Sequence, residues 1–111
     1  MTFGFGDIVL LTFPFSDQQN AKRRPGLVLA YDAYGDLLVA RITSKVAEFP
    51  TDVLLKDWAG SGLNIASTVR LLKLATAHES FTMHKIGALS SADRAMVVIA
   101  LKNFVHSLEA G

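Results

Sequence analysis

The chain has 111 residues, half of them apolar, no cysteine, and a formal net charge of +1. That length, with no break in composition, suits a single domain over 1–111 with its own core and no covalent staples. The lack of cysteine excludes disulfides, thiolate nucleophiles and zinc–cysteine sites, and suits a reducing cytoplasm. The first residues lack a basic start followed by a long apolar stretch, so no secretory signal is expected. The longest apolar run, 95–101, is too short to span a bilayer. A charge near neutrality does not call for nucleic acid; its distribution says more, because Lys22, Arg23 and Arg24 are adjacent.

Residues 7–13 read as a first strand built on Ile8, Val9, Leu10 and Leu11. Pro14 ends it, and 16–21 form a polar loop that is long for a plain hairpin. Such a loop either binds something or is tolerated surface. It runs into Lys22-Arg23-Arg24-Pro25, where the proline pushes Arg24 towards extended backbone at the mouth of a strand over 26–31. Asp32-Ala33-Tyr34-Gly35-Asp36 is turn-like, and 37–43 is the return strand. A turn centred between Ala33 and Tyr34 sets Arg24 opposite Thr43 on one face, provided that no bulge shifts the register. Alternation puts Val39, Arg41 and Thr43 on a wet face and Leu38, Ala40 and Ile42 on a packed one. The same pattern also suits an ordinary solvated sheet face.

After Phe49-Pro50, residues 51–56 form another strand and 57–62 a turn, with Trp58 as a lid on the core rather than a platform for a base. Residues 67–75 read as a strand carrying Arg70 and Lys73, whose odd spacing sends them to opposite faces. Residues 79–83 are irregular or a short helical turn, and 85–89 a last strand. Ser90 then N-caps a helix that runs to about Leu108, with Asp93 placed as a capping-box acid. Val97, Ala100, Leu101, Phe104 and Leu108 make its apolar stripe. Met96, Val98, Ile99 and Val105 widen the stripe enough to leave a flank for a partner, so a homodimer is expected. Strands first and one helix last argue a mainly β fold, a small antiparallel β-barrel or strongly bent sheet capped by a C-terminal α-helix.

The chemistry on offer is narrow. His78, His84 and His106 have no metal-ligand spacing and read as surface residues; no metal or other cofactor is expected. There is no nucleophile elbow and no glycine-rich phosphate loop. RNA, however, can be cut without a metal, because its own 2′-hydroxyl can attack the adjacent phosphorus. That reaction needs a base, cations for the phosphorane charge, and a proton for the leaving oxygen. Arg24 supplies a forked cation, and Thr43 a hydroxyl able to orient a phosphate oxygen or the 2′-hydroxyl. Neither is a base at neutral pH.

Gly6-Asp7-Ile8-Val9-Leu10, Phe13-Pro14-Phe15-Ser16-Asp17, Arg24-Pro25-x-Leu27-Val28 and Ile42-Thr43-Ser44 resemble, in order, the PemK/MazF family of endoribonuclease toxins. Leu54 to Trp58, Gly62-Leu63, Ser67 to Leu71 and Lys85-Ile86-Gly87-x-Leu89-Ser90 continue the series over nearly the whole chain. The resemblance implies an SH3-like, CcdB/PemK-like barrel, a homodimer with single-stranded RNA across its face, and a cognate antitoxin. It implies a sequence-specific, metal-independent cut leaving a 2′,3′-cyclic phosphate and a 5′-hydroxyl. Arg24 and Thr43 match the catalytic Arg and Thr of some members; Lys22, Arg23, Arg41, Ser44 and Arg70 are then the RNA contacts. Other members use an Arg-x-Asp pair, and here Arg70 is followed by Leu72 where the Asp would stand, while Ala75 replaces a further Arg. Two other readings stay open: a CcdB-like gyrase inhibitor on the same fold, and a catalytically weak RNA-binding relative.

Overall fold

The computed structural model describes residues 2–12 and 23–111. Lys22, the polar loop and the Phe13 to Asp17 motif lie outside the described residues. Six strands form one antiparallel sheet: β1 (Asp7–Thr12), β2 (Arg23–Tyr31), β3 (Asp36–Thr43), β4 (Asp52–Leu54), β5 (Thr68–His78) and β6 (Thr82–Ala88). A 3₁₀ turn (Glu79–Phe81) joins the last two, and α1 (Ser91–Ala110) ends the chain. The strand order is β4-β5-β3-β2-β1-β6. The sheet is therefore open, and the hydrogen bonding does not make the closed SH3-like barrel that the resemblance implies. One reason is that β4 is only three residues long and, among the described residues, pairs with β5 alone. The turn over 57–62 reaches the far edge instead, where Gly62 and the carbonyl of Ser61 pack against Ile86 and Gly87 of β6.

The central strands are buried on both faces, because the coiled sheet has a core on each side. Ile8 and Leu27 belong to one core with Ile42, Val69, Leu71 and Val97 of α1. Their neighbours Val9 and Val28 point the other way, into a second core with Phe3, Leu11, Leu37, Val39 and Ala77. This corrects the facing expected for β3: Val39 is fully buried and Leu38 is exposed. Trp58 packs on the first core as a lid. The coil comes from β5, whose register against β3 jumps from Ala40↔Leu74 to Arg41↔Arg70. Residues 71–73 thus form a bulge, which bends the strand and breaks the odd-spacing argument for Arg70 and Lys73.

α1 starts as expected, with the Ser90 hydroxyl accepting from the Asp93 N–H. The Asp93 side chain does something else. It is fully buried and accepts from the backbone N–H groups of Lys56 at 3.0 Å and Asp57 at 2.9 Å. The helix N-terminus therefore anchors the segment leaving β4. Beyond Val97 the stripe is only partly covered: Ala100, Leu101 and Phe104 are half-buried. Met96, Ile99, Val105 and Leu108 are exposed. No helix among the described residues is long and apolar enough to cross a membrane.

Candidate active site

Two deviations from an ideal hairpin cancel at the mouth of β2. Near the turn the pairs are Tyr31↔Leu37 and Ala30↔Leu38, which centre the turn on Tyr34 rather than before it. The turn is held by Asp32, whose carboxylate accepts from Tyr34 and Asp36, and by Gly35 at φ 85°, a conformation open to glycine. A bulge at Leu29 then shifts the register, giving Val28↔Val39, Leu27↔Ala40 and Gly26↔Arg41. The paired register ends there, two residues short of Arg24 and Thr43.

Arg24, Pro25, Thr43 and Ser44 line one groove of about 490 Å³. Leu10 and Ile42, Gly62 to Ile65, Ser67, and His84 and Ile86 of β6 complete its lining. Arg24 and Thr43 are half-buried, Ser44 exposed. The Thr43 hydroxyl accepts from the Lys45 N–H at 3.3 Å, which leaves its own proton to donate. The wall of 62–65 exists because Asp93 fixes 56–57 and Gly62, at φ 92°, turns the chain against β6.

The electrostatics around the groove are those of an anion site. Arg41 stands directly opposite Arg70 across β3 and β5. Its guanidinium is held below its ordinary pKa by burial first, then by the charges of Arg24 and Arg70. It stays a cation at any working pH, so it and Arg24 set two like charges near one another on a chain of net charge +1. The Arg41 Nε is buried without a hydrogen-bond partner, a donor that a bound anion can satisfy.

The expected site residues therefore separate. Arg24, Thr43 and Ser44 share the groove, and Arg41 lies close enough to Arg24 to feel its charge. Arg23 is exposed at the start of β2, opposite Thr12. Arg70 lines instead a smaller hollow with Lys45, Glu48 and Phe49, where its Nε lies 3.5 Å from Asp52. That carboxylate is no replacement for the acid missing at Leu72. It is nearly buried, and it also accepts from the N–H groups of Glu48 and Phe49. Leu72 itself is exposed on the β5 bulge.

Sequence reasoning missed His84. It lies on β6, paired with Leu10, whose other partner is Pro25, and so it enters the groove from two strands away. No spacing rule joins residue 84 to residue 24; only the strand order does.

Comparison with known proteins bears on the fold and the family. No curated protein matches the chain. Among solved structures, an endoribonuclease in complex with its cognate antitoxin, from a mycobacterial species, superposes with a TM-score of 0.76 at 16% identity, covering 95% of this chain and 96% of that one. The Mycobacterium tuberculosis toxin MazF-mt6 gives 0.71 at 25% identity, covering 87% and 93%. MazF from Deinococcus radiodurans gives 0.70 at 22%, covering 96% and 98%. The family model for the PemK-like, MazF-like toxin of type II toxin–antitoxin systems matches residues 5–105, and the chain belongs to that family.

Proposed function

We propose that this protein is a metal-independent, sequence-specific endoribonuclease toxin that cuts single-stranded messenger RNA in the cytoplasm. The observation that carries the reading is the groove of about 490 Å³ lined by Arg24, Thr43 and Ser44, with Arg41 near enough to feel the charge of Arg24. The 2′-hydroxyl attacks its own phosphorus, and the products are a 2′,3′-cyclic phosphate and a 5′-hydroxyl. Arg24 holds two phosphate oxygens through its fork as their charge grows. Thr43 donates to one of those oxygens or orients the attacking hydroxyl. Arg41 raises the local potential, Arg23 and Lys22 meet phosphates outside the reacting group, and Arg70 is a peripheral contact. Attack by the 2′-hydroxyl needs no metal, and the described residues hold no cluster of three or more His, Asp or Glu side chains suited to one.

The protein acts as a homodimer whose activity an antitoxin blocks. Support comes from the exposed flank of α1 and from the solved relatives in which an endoribonuclease or MazF is held by its antitoxin.

The test is incubation of purified protein with a long RNA in chelator, followed by end-group analysis. Cyclic phosphate and 5′-hydroxyl ends are expected. Arg24→Ala should lose about a hundredfold or more, the scale of removing one transition-state donor, with Arg24→Lys recovering part. Full activity in folded Arg24→Ala, or cleavage only after magnesium is restored, would refute the reading.

A further inference from the structure

Resting on the endoribonuclease reading, we infer that Asn64 selects one base of the RNA: the groove that takes the phosphate also takes a neighbouring nucleobase, and the Asn64 amide reads its edge. The chemistry proposed for Arg24, Thr43 and Ser44 accounts for only part of the lining. Leu10, Pro25, Ile42, Leu63, Ile65 and Ile86 make up most of the rest, and Ile65 is 58% exposed. An anion gains nothing from aliphatic side chains. A nucleotide has a charged end and also a flat base whose faces gain from leaving water. Apolar walls with a few placed polar groups are how a pocket holds such a group and fixes its orientation.

Asn64 has the chemistry to read a base. It lines the same groove and is exposed, so a ligand can reach its amide. An amide offers a donor and an acceptor side by side, and every base carries a donor next to an acceptor on its Watson–Crick edge. In single-stranded RNA that edge is free to be read. A base of the wrong size or edge leaves the amide's donor or acceptor unpaired, which is what rejects it.

Such reading needs a wall that stays still, and the chain is pinned on both sides of Asn64. Before it, Gly62 packs against Ile86. Leu63 is buried in the first core, and its N–H donates to the Trp58 carbonyl at 3.1 Å. After it, the hydroxyl of Ser67, a residue only 3% exposed, donates to the Ile65 carbonyl at 2.7 Å. The Ser67 carbonyl in turn accepts from the Leu55 N–H at 3.0 Å. Asn64 thus stands on a short segment fixed at each end, and a fixed frame is what turns a polar contact into selectivity.

The test maps the cuts made in a pool of random-sequence RNA by the parent protein, Asn64→Ala and Asn64→Asp. The parent should favour one base at one position near the cut. Asn64→Ala should relax that preference by roughly ten- to a hundredfold, the scale of one paired base contact, and leave preferences at other positions in place. Asn64→Asp presents acceptors only. Guanine alone carries two adjacent donors, N1–H and N2–H, on its Watson–Crick edge, so this variant should favour guanine at the same position more than Asn64→Ala does. The inference is overturned if the variants keep the parent's base preferences, or if Asn64→Asp gains no guanine over Asn64→Ala. It is overturned equally if both variants cut every sequence more slowly by one factor, the mark of a damaged wall rather than a lost base contact. A parent that cuts with no base preference overturns it too. A parent that cuts no RNA removes the endoribonuclease reading, and this inference with it.

Discussion

Asp93 couples the helix to the groove, and its removal should be felt in both. In Asp93→Ala the N–H groups of Lys56 and Asp57 lose a charged acceptor held at 3.0 and 2.9 Å. A hydrogen bond to a charged group contributes about 1.5–3 kcal/mol, so two bracket about 3–6 kcal/mol. Lys56 and Asp57 are themselves exposed, and their freed N–H groups can reach water, which favours the lower end. The helix also loses its negative charge near the N-terminus, about 0.3–1 kcal/mol. The expected cost is thus about 3–4 kcal/mol, or roughly 12–16 °C in Tm for a domain of this size. Urea unfolding should show a lower midpoint with an unchanged slope. Ser90→Ala, which removes only an ordinary cap, should cost about 1 kcal/mol. If Asp93→Ala costs no more than Ser90→Ala, the carboxylate is a surface capping acid and the anchoring argument is wrong.

Local rules made the strands and the helix legible. Ile8 to Leu11 read as a buried run because β1 is covered on both faces, and Ser90 was visible as an N-cap because capping is settled within four residues. The reading failed where the answer depended on residues far along the chain. Val39 reads as outward in a half-wet strand, yet the coiled sheet gives it a second core on that side. The bulge over 71–73 has no glycine or proline to announce it; it is set by the need of β5 to pair with β3 on both sides of a bend. Asp93 sits where a capping box wants an acid, and the nearby donors of 56–57 outbid the Ser90 N–H for its carboxylate. The site followed the same division. Arg24 and Thr43 lie on the two strands of one hairpin and line one groove, so turn geometry could bring them together, whereas His84 reaches that groove only through the β2-β1-β6 order.

Two further perturbations test other parts of the structure. Tyr31 donates to Glu79 at 2.9 Å, and that hydrogen bond, then desolvation, then the charges of Glu79 and Asp32, raise its pKa above 10.0. Its contribution to stability is therefore complete below that ordinary value and is lost as pH rises through the higher folded-state value. Tyr31 should supply phenolate absorbance at a pH above the ordinary tyrosine range, and Tyr31→Phe should abolish that component; its persistence would rule the assignment out. Gly87→Ala probes the groove from behind. A methyl group there would run into the carbonyl oxygen and carbon of Ser61, backbone atoms that cannot swing aside as the tip of a side chain can. The turn over 57–62 must then move off β6, at about 1–3 kcal/mol for the overpacking, and it carries Asn64 and Ile65 away from His84. Trp58, the one tryptophan, lies in that turn as a lid on the core, so its fluorescence should shift to the red as RNA cleavage falls. Parental emission and parental cleavage in Gly87→Ala would mean that contact with β6 does not hold the groove wall in place.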